Sequence, residues 1–514
     1  MLRREYDSFY IDGAWHKATG PDTFTVISPS TGSPIGSVPS ATVAEIDLAV
    51  AAARRAFDTT DWPTRPAAER AELCEALAQR LFDHKSELSD LLVDELGCTR
   101  AAADVYQATA PTLHWNYNAA LARDYAYAEK RSTDLGPLAG GATSGFIMQY
   151  ETNSVVFKEP IGVVAALGAF NFPLAGTAQK VAPAVAAGCT VVIKVPEQDP
   201  LAIMAMGDLI TEAGIPPGVI NIVAAGPDVS AHLVSHPDVD MVSFTGSTET
   251  GARIGEACGK RIRPAVLELG GKSAAIILPD ADIDGALPEL LSASAITSNG
   301  QSCVCQSRIL VPRDRHDEIV QRLVDGFAGI KVGDPNDPEV ALGPLISEAH
   351  RERVLGFVRR AVEQGATLAF GGGVPEGLDK GWFVEPTLLI GVTRDMEIAQ
   401  EEVFGPVIAV LAYDSEEEAI EIANASRYGL SGTVFTADLE HGFDIARRIR
   451  VGLFGINMLS VDFNAPFGGL KDSGYGREHG PAGFESYLTT KTVPVASGVS
   501  IPDSVLTGQV TAGA

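Results

Sequence analysis

The chain has 514 residues and six cysteines, of which only Cys303 and Cys305 lie close together. Cys303 falls in Asn299-Gly300-Gln301-Ser302-Cys303-Val304-Cys305, a glycine-containing break after a helical stretch. A loop in that position can present a thiol to a cleft. The thiolate is the nucleophilic form and the free pKa is ~8.5, so such a residue needs an activating environment; otherwise it is a packed small side chain. Zinc is a poor fit to Cys303-x-Cys305, because a structural site needs four ligands and no histidine lies near in sequence. Glu268 ends an apolar run in Leu267-Glu268-Leu269-Gly270-Gly271-Lys272. A carboxyl group partly buried at a strand end has a raised pKa and can act as a general base, or it can cap the following loop. Asn171, in Gly168-Ala169-Phe170-Asn171-Phe172-Pro173, offers an amide to a developing oxyanion, or else turns the chain.

Two further segments could hold phosphate and ribose. Phe244-Thr245-Gly246-Ser247-Thr248-Glu249-Thr250-Gly251 reads as a strand end followed by a helix start. Free N–H groups and the helix dipole bind phosphate there, although the spacing is not GxGxxG and Ser247 could be a plain cap. Lys194-Val195-Pro196-Glu197 also begins just past an apolar strand. A carboxylate at that place accepts from a ribose 2′-hydroxyl and repels a 2′-phosphate. A solvated surface pair is the other reading.

The elements that must position these residues follow a clear rhythm. Short strands over Ser8–Ile11 and Thr23–Ile27 come first, then helical stretches over Val43–Phe57, Ala67–Leu96 and Ala101–Arg123. A glycine-rich break covers Leu135–Thr143, and Phe146–Phe157 reads as an extended segment. From Gly162 onward, continuous apolar strands alternate with helices, the pattern of a parallel sheet buried on both faces. Those strands are Gly162–Leu167, Thr190–Lys194, Val219–Val223, Asp240–Phe244 and Ala265–Leu269. After Gly270 the rhythm resumes with strands near Ala274–Leu278, Arg308–Val311, Val407–Leu411 and Thr433–Thr436, and helices over Ile283–Ile296, His316–Ile330 and Ala349–Gln364. The fold class is therefore α/β, with two doubly wound units.

Bulk properties bound the partners. Lys and Arg number 39 against 66 Asp and Glu, a net charge of −27, which repels nucleic acid and anionic membranes. No run reaches ~18 uncharged apolar residues, so no membrane span is expected. Few, scattered cysteines and no visible signal segment point to free thiols and a cytoplasmic location.

Taken together, the blocks resemble the aldehyde dehydrogenase superfamily over about Phe9 to Val495. The resemblance rests on Pro160-Ile161-Gly162-Val163-Val164, Asn171-Phe172-Pro173-Leu174, Phe244-Thr245-Gly246-Ser247, Glu268-Leu269-Gly270-Gly271-Lys272 and Gly300-Gln301-Ser302-Cys303. Glu401-Glu402-Val403-Phe404-Gly405-Pro406, Pro466-Phe467-Gly468-Gly469 and Lys471-Asp472-Ser473-Gly474 complete it. It implies that Cys303 attacks an aldehyde, that Asn171 holds the oxyanion, and that Glu268 activates water to hydrolyse a thioester. It implies NAD as cofactor, with NADP disfavoured by Glu197. Lys194 and Glu197 would meet the adenine ribose, Gly246, Ser247 and Gly251 the pyrophosphate, and Glu402 the nicotinamide ribose. Phe404 would pack near the nicotinamide, Phe170 would also contact the cofactor, and Gly226 would line the adenine side. No metal is implied.

The same resemblance implies a cofactor domain of residues 1–137 and 159–270, a catalytic domain of 271–485, a β oligomerisation arm of 138–158 and 486–500, and a tail of 501–514. Association as a dimer or tetramer is expected. Relatives often carry Pro-Trp where this chain has Ala169-Phe170, and often an aromatic where it has Gln179. With Gly176 and Ser302 small and Phe463 and Phe467 as walls, the expected pocket is roomy and partly polar. It would suit a medium to bulky hydrophobic aldehyde, aryl and terpenoid ones included. The competing expectation is a non-catalytic binding or structural member of the same fold; the presence of Asn171, Glu268 and Cys303 argues against it.

Overall fold

The computed structural model describes residues 2–134, 151–496 and 499–506. The predicted glycine-rich break, the start of the extended segment and the last tail residues lie outside the described residues.

Two large sheets carry the fold. The first has 8 strands in the order Gly474–Tyr475, Ala265–Glu268, Met241–Thr245, Val163–Leu167, Thr190–Val195, Ile220–Ala224, Ser8–Ile11 and Ala14–Lys17. The five from Ala265–Glu268 to Ile220–Ala224 are parallel. They are almost wholly buried, as their unbroken apolar sequences require of strands covered on both faces. The second sheet has 7 strands, in the order Thr367–Phe370, Thr387–Ile390, Val407–Tyr413, Arg308–Pro312, Ala274–Ile277, Ser431–Phe435 and Leu453–Ile456. Its apolar side chains form two clusters, one on each face, around Leu310 and Val434 and around Ile309 and Phe435. A 3-stranded sheet joins Ala128–Asp134, Glu151–Pro160 and Leu488–Val495.

Several boundaries differ from the sequence reading. The stretch 67–96 is two helices, Ala67–Asp83 and Lys85–Leu96, broken at His84. No glycine or proline marks that break. The stretch from 101 opens with a widened π turn, Ala103–Gln107, before helix Ala110–Asp124 begins. Ile283–Leu291 likewise ends in a π turn, Ser292–Ile296. Gly474–Tyr475, expected with the second unit, pairs instead with Ala265–Glu268 of the first sheet. Ala128–Asp134, expected in the first unit, belongs to the three-stranded sheet. Among the described residues, no helix is long and apolar enough to cross a membrane.

Candidate active site

Parallel register sets the site. Leu167 pairs with Lys194, Phe244 with both Leu167 and Leu267, and Thr245 with Glu268. The loops carrying Asn171, Glu197, Ser247 and Gly270 therefore leave the same carboxyl edge of the first sheet, where open α/β sheets bind ligands. The Cys303 loop arrives from the second unit, through Ser298 and Asn299 in left-handed conformation, φ 49° and 57°. Buried Asn299 fixes this reversal: its amide donates to the carbonyls of Gly97 (3.0 Å) and Pro344 (2.9 Å), and its oxygen accepts from Gly343 N–H at 2.8 Å. Ser298 Oγ donates to the Asn171 carbonyl at 3.1 Å, with Gln107 Nε2 on the same oxygen at 2.9 Å. The Ser298 bond ties the expected oxyanion residue to the expected nucleophile loop, and the Gln107 bond anchors it to the π turn Ala103–Gln107. The loop also lies so close to the first sheet that a Cβ on Gly271 would collide with the Cys303 carbonyl oxygen. Only glycine permits that approach.

Electrostatics around the thiol are dominated by burial. Cys303 is half-buried, and desolvation, then the Glu402 and Glu268 carboxyl groups, push its thiol far up. Glu268 is buried, neither carboxyl oxygen has a well-formed hydrogen bond, and desolvation followed by Glu478 raises its pKa well above the usual carboxylate value. Lys180 and Glu478 form a fully buried ion pair beside it. Lys180 and Arg477 partly offset the upward shift of Glu268. Glu402 accepts from Gly271 N–H at 2.9 Å, and burial carries its carboxyl up to about 7.

Two cavities meet at Cys303. A groove of about 540 Å³ runs past Phe170, Lys194, Glu197, Gly246, Ser247, Gly270, Glu402 and Phe404. A second cavity of about 400 Å³ is lined by Gly176, Gln179, Glu268, Ser302, Phe463 and Phe467. Ala169, Asn171, Thr245 and Cys303 border both. The groove fits a dinucleotide. Ser247 caps helix Thr248–Gly259, accepting from Thr250 N–H, so the helix start opens on the groove. Glu402 and Cys303 border the groove together with Lys194 and Glu197, which lie at and just past the end of strand Thr190–Val195. Phe404 is held in left-handed conformation at φ 62°, its carbonyl bonded to His350 Nε2 and its ring edge-on to Phe170 with centroids 5.6 Å apart.

Two expected contacts sit differently. Gly226 is not on the groove wall, which its neighbour Pro227 borders instead. Gly251 lies one turn inside its helix, where a Cβ would collide with the Leu269 side chain. It lets the helix pack onto the strand end, which aims the helix start. The sequence reading did not single out Lys180, Glu478, His350 or Arg353. Arg353 donates to the Val403 and Glu402 carbonyls, the latter at 2.7 Å, and with His350 it clamps the Glu402–Phe404 turn. Nothing in a charged residue on an amphipathic helix announces such a role. Among the described residues, the one cluster spaced for a metal, Asp47, His232 and His236, borders neither cavity.

The profile of the Aldehyde dehydrogenase family matches residues 15–493. A 3-succinoylsemialdehyde-pyridine dehydrogenase from Pseudomonas sp. is 40% identical over 95% of this chain and 98% of its own. A geranial dehydrogenase from Castellaniella defragrans is 39% identical, with 95% and 98% covered. An aldehyde dehydrogenase from Mycobacterium tuberculosis, solved with NAD+, superposes with a TM-score of 0.92 at 42% identity over 97% and 99% of the two chains. Aldehyde dehydrogenase C from Pseudomonas syringae, a cysteine-to-alanine mutant solved with NAD+ and octanal, gives 0.88 at 37% identity over 95% and 96%. Sequence, fold and site thus agree: the chain belongs to the aldehyde dehydrogenase family and is an oxidoreductase that acts on aldehydes with a nicotinamide cofactor.

Proposed function

We propose that the protein oxidises a medium to bulky hydrophobic aldehyde to its carboxylic acid, with NAD and through a thioester on Cys303. The observation that carries this reading is the meeting of the two cavities at Cys303 and Asn171. An aldehyde entering from one side and a nicotinamide nucleotide lying in the other converge on one sulfur. Cys303 gives its thiol proton to water in the cavity as its sulfur adds to the carbonyl carbon, and the Asn171 amide donates to the oxyanion of the resulting thiohemiacetal. A nicotinamide bound beside Glu402 and Phe404 supplies the hydride acceptor. Departure of the hydride leaves Cys303 as a thioester. Glu268 takes the proton from the water that hydrolyses it; burial raises its carboxyl well above the ordinary carboxylate value, which makes it a stronger base once ionised.

The pocket supports an apolar substrate. Phe172, Phe463, Phe467, Leu459 and Val461 line it, and Tyr106 and Val461 at its wall are exposed. Relatives named for geranial and for a pyridine semialdehyde, and the octanal complex, agree with that size range. Glu197, on the groove wall, favours NAD over NADP by repelling a 2′-phosphate. We further propose that the three-stranded sheet, with its exposed strand Leu488–Val495, is the surface through which copies associate.

The deciding experiment is mass spectrometry of Glu268→Gln after mixing with NAD and octanal. An acyl adduct on the Cys303 peptide that persists for minutes is expected. An adduct on another residue, or none while octanal is still oxidised, would overturn the assignment.

A further inference from the structure

The substrate cavity ends in an unusual wall. His114, on helix Ala110–Asp124, is buried, and its ring lies 4.6 Å from Phe463 and 5.0 Å from His479. His479 stacks at 5.5 Å on Phe463 and 5.6 Å on Phe467. Neither ring nitrogen of His479 makes a well-formed hydrogen bond, although both are shielded from solvent. Its backbone is stranger still, with φ 59° and ψ 162°, a region essentially reserved for glycine. A side chain kept in such a conformation, its ring nitrogens no closer to a partner than a poorly aligned approach to the Asp462 backbone, is a costly arrangement of the kind found at functional sites. Gln179 sits on helix Pro173–Ala187, which packs against His114's helix, and its amide makes no hydrogen bond among the described residues. Its neighbour Lys180 pairs with Glu478, next to His479. All three polar side chains, His114, Gln179 and His479, border the cavity.

The charges in this cavity narrow the ligand. Among the described residues its one cation other than imidazole, Lys180, is already neutralised by Glu478. Its remaining acids are Glu268 and Glu289, the latter holding Leu459 N–H at 2.7 Å. Burial lowers the pKa of both imidazoles, so they stay neutral. A substrate carboxylate would find no free positive charge, whereas an uncharged oxygen would find N–H donors from imidazole and amide.

Building on the substrate reading above, we infer that His114, Gln179 and His479 form a specificity subsite for a neutral oxygen, a ketone or hydroxyl, carried by an otherwise apolar aldehyde. Neutral imidazole can donate or accept according to tautomer, so the subsite accommodates either group. An analogue lacking the oxygen leaves these buried donors unpaired, which costs it turnover relative to its partner.

The test compares kcat/KM for 4-oxo-4-phenylbutanal with that for 4-phenylbutanal, and includes glutaric semialdehyde as the anionic probe. The keto aldehyde is expected to be favoured about tenfold, the worth of a well-made neutral hydrogen bond, with the anionic probe slowest. In Gln179→Leu and His114→Phe the keto preference should fall towards one. His479→Gly relieves the backbone but removes the ring, so it should fold well and lose the preference. His479→Asn, which tolerates positive φ and keeps an amide donor, should retain part of it. Equal kcat/KM for the two phenyl aldehydes in the wild type, an unchanged ratio in the variants, or preference for the anionic probe would overturn the subsite alone. Failure to oxidise either phenyl aldehyde would overturn the hydrophobic-aldehyde reading as well.

Discussion

Glu268 holds its carboxyl buried at the wall of the cavity with no well-placed protein donor, beside the buried Lys180–Glu478 pair. Because its pKa is raised, the group is protonated at the acid end of the working range and becomes a base only as pH rises. Thioester hydrolysis in the wild type should therefore speed up with pH until Glu268 is ionised, and Glu268→Gln should remove that limb. Steady-state turnover of the variant should fall ~10²–10⁴-fold, the usual worth of a positioned general base. Stopped-flow NADH formation that keeps a burst while the steady rate collapses would agree; loss of the burst would not. Cys303→Ala should abolish both phases. At the cofactor end, Glu197→Gln should narrow the NAD over NADP preference, read as the ratio of KM values. An unchanged ratio would place discrimination elsewhere.

At the scale of elements, the site depends on loops held by buried polar atoms rather than by apolar packing. Asn299→Ala would strand two carbonyls and one N–H in the interior, each worth ~1–3 kcal/mol when left unpaired. A loss of at least ~3 kcal/mol in unfolding free energy is expected, with Cys303 alkylated faster in the variant. A second test lies behind the cofactor groove, where Asp199 is buried with both carboxyl oxygens unpartnered next to Glu95. Desolvation raises Asp199 well above its ordinary value and Glu95 to about 8. Groups protonated when folded and ionised when unfolded favour the native state at low pH and lose that contribution as pH rises towards the folded value. Asp199→Asn should raise Tm at pH 8 and leave it nearly unchanged at pH 4.

These elements also show what the sequence discloses. The parallel strands and their helices were legible because unbroken apolar runs alternate with helical periods, and Asn171, Glu268 and Cys303 stood out because each follows or breaks such a run. The break at His84 and the two π turns were not, since no glycine or proline marks the break and neither Ala103–Gln107 nor Ser292–Ile296 contains a residue that signals a widened turn. Lys180, His350, Arg353 and Glu478 act across long sequence distances, so no local spacing reveals them. His479 is hidden for the opposite reason: its positive φ is a backbone property that a histidine letter does not betray.

For the whole molecule, the net charge of −27 opposes the approach of an anionic dinucleotide even though the groove itself is suitable. Raising ionic strength from ~10 to ~150 mM shortens the Debye length from ~30 to ~8 Å and should lower the apparent KM for NAD. A KM that rises with salt would mean that local Lys and Arg contacts outweigh the global field. Truncation after Tyr487 removes the strand Leu488–Val495, whose every residue pairs with Asn153–Pro160, and should leave a smaller particle by light scattering. The bond from Ser298 to the Asn171 carbonyl has a consequence for durability. The Cys303 loop and Asn171, the proposed nucleophile loop and oxyanion residue, come from different halves of the chain, and the Ser298 hydroxyl links them directly. That bond is expected to loosen on gentle heating before the helices and strands unfold. Catalysis will then fade at a lower temperature than ellipticity does, and stapling that junction would lengthen the working life of the catalyst without altering its melting point.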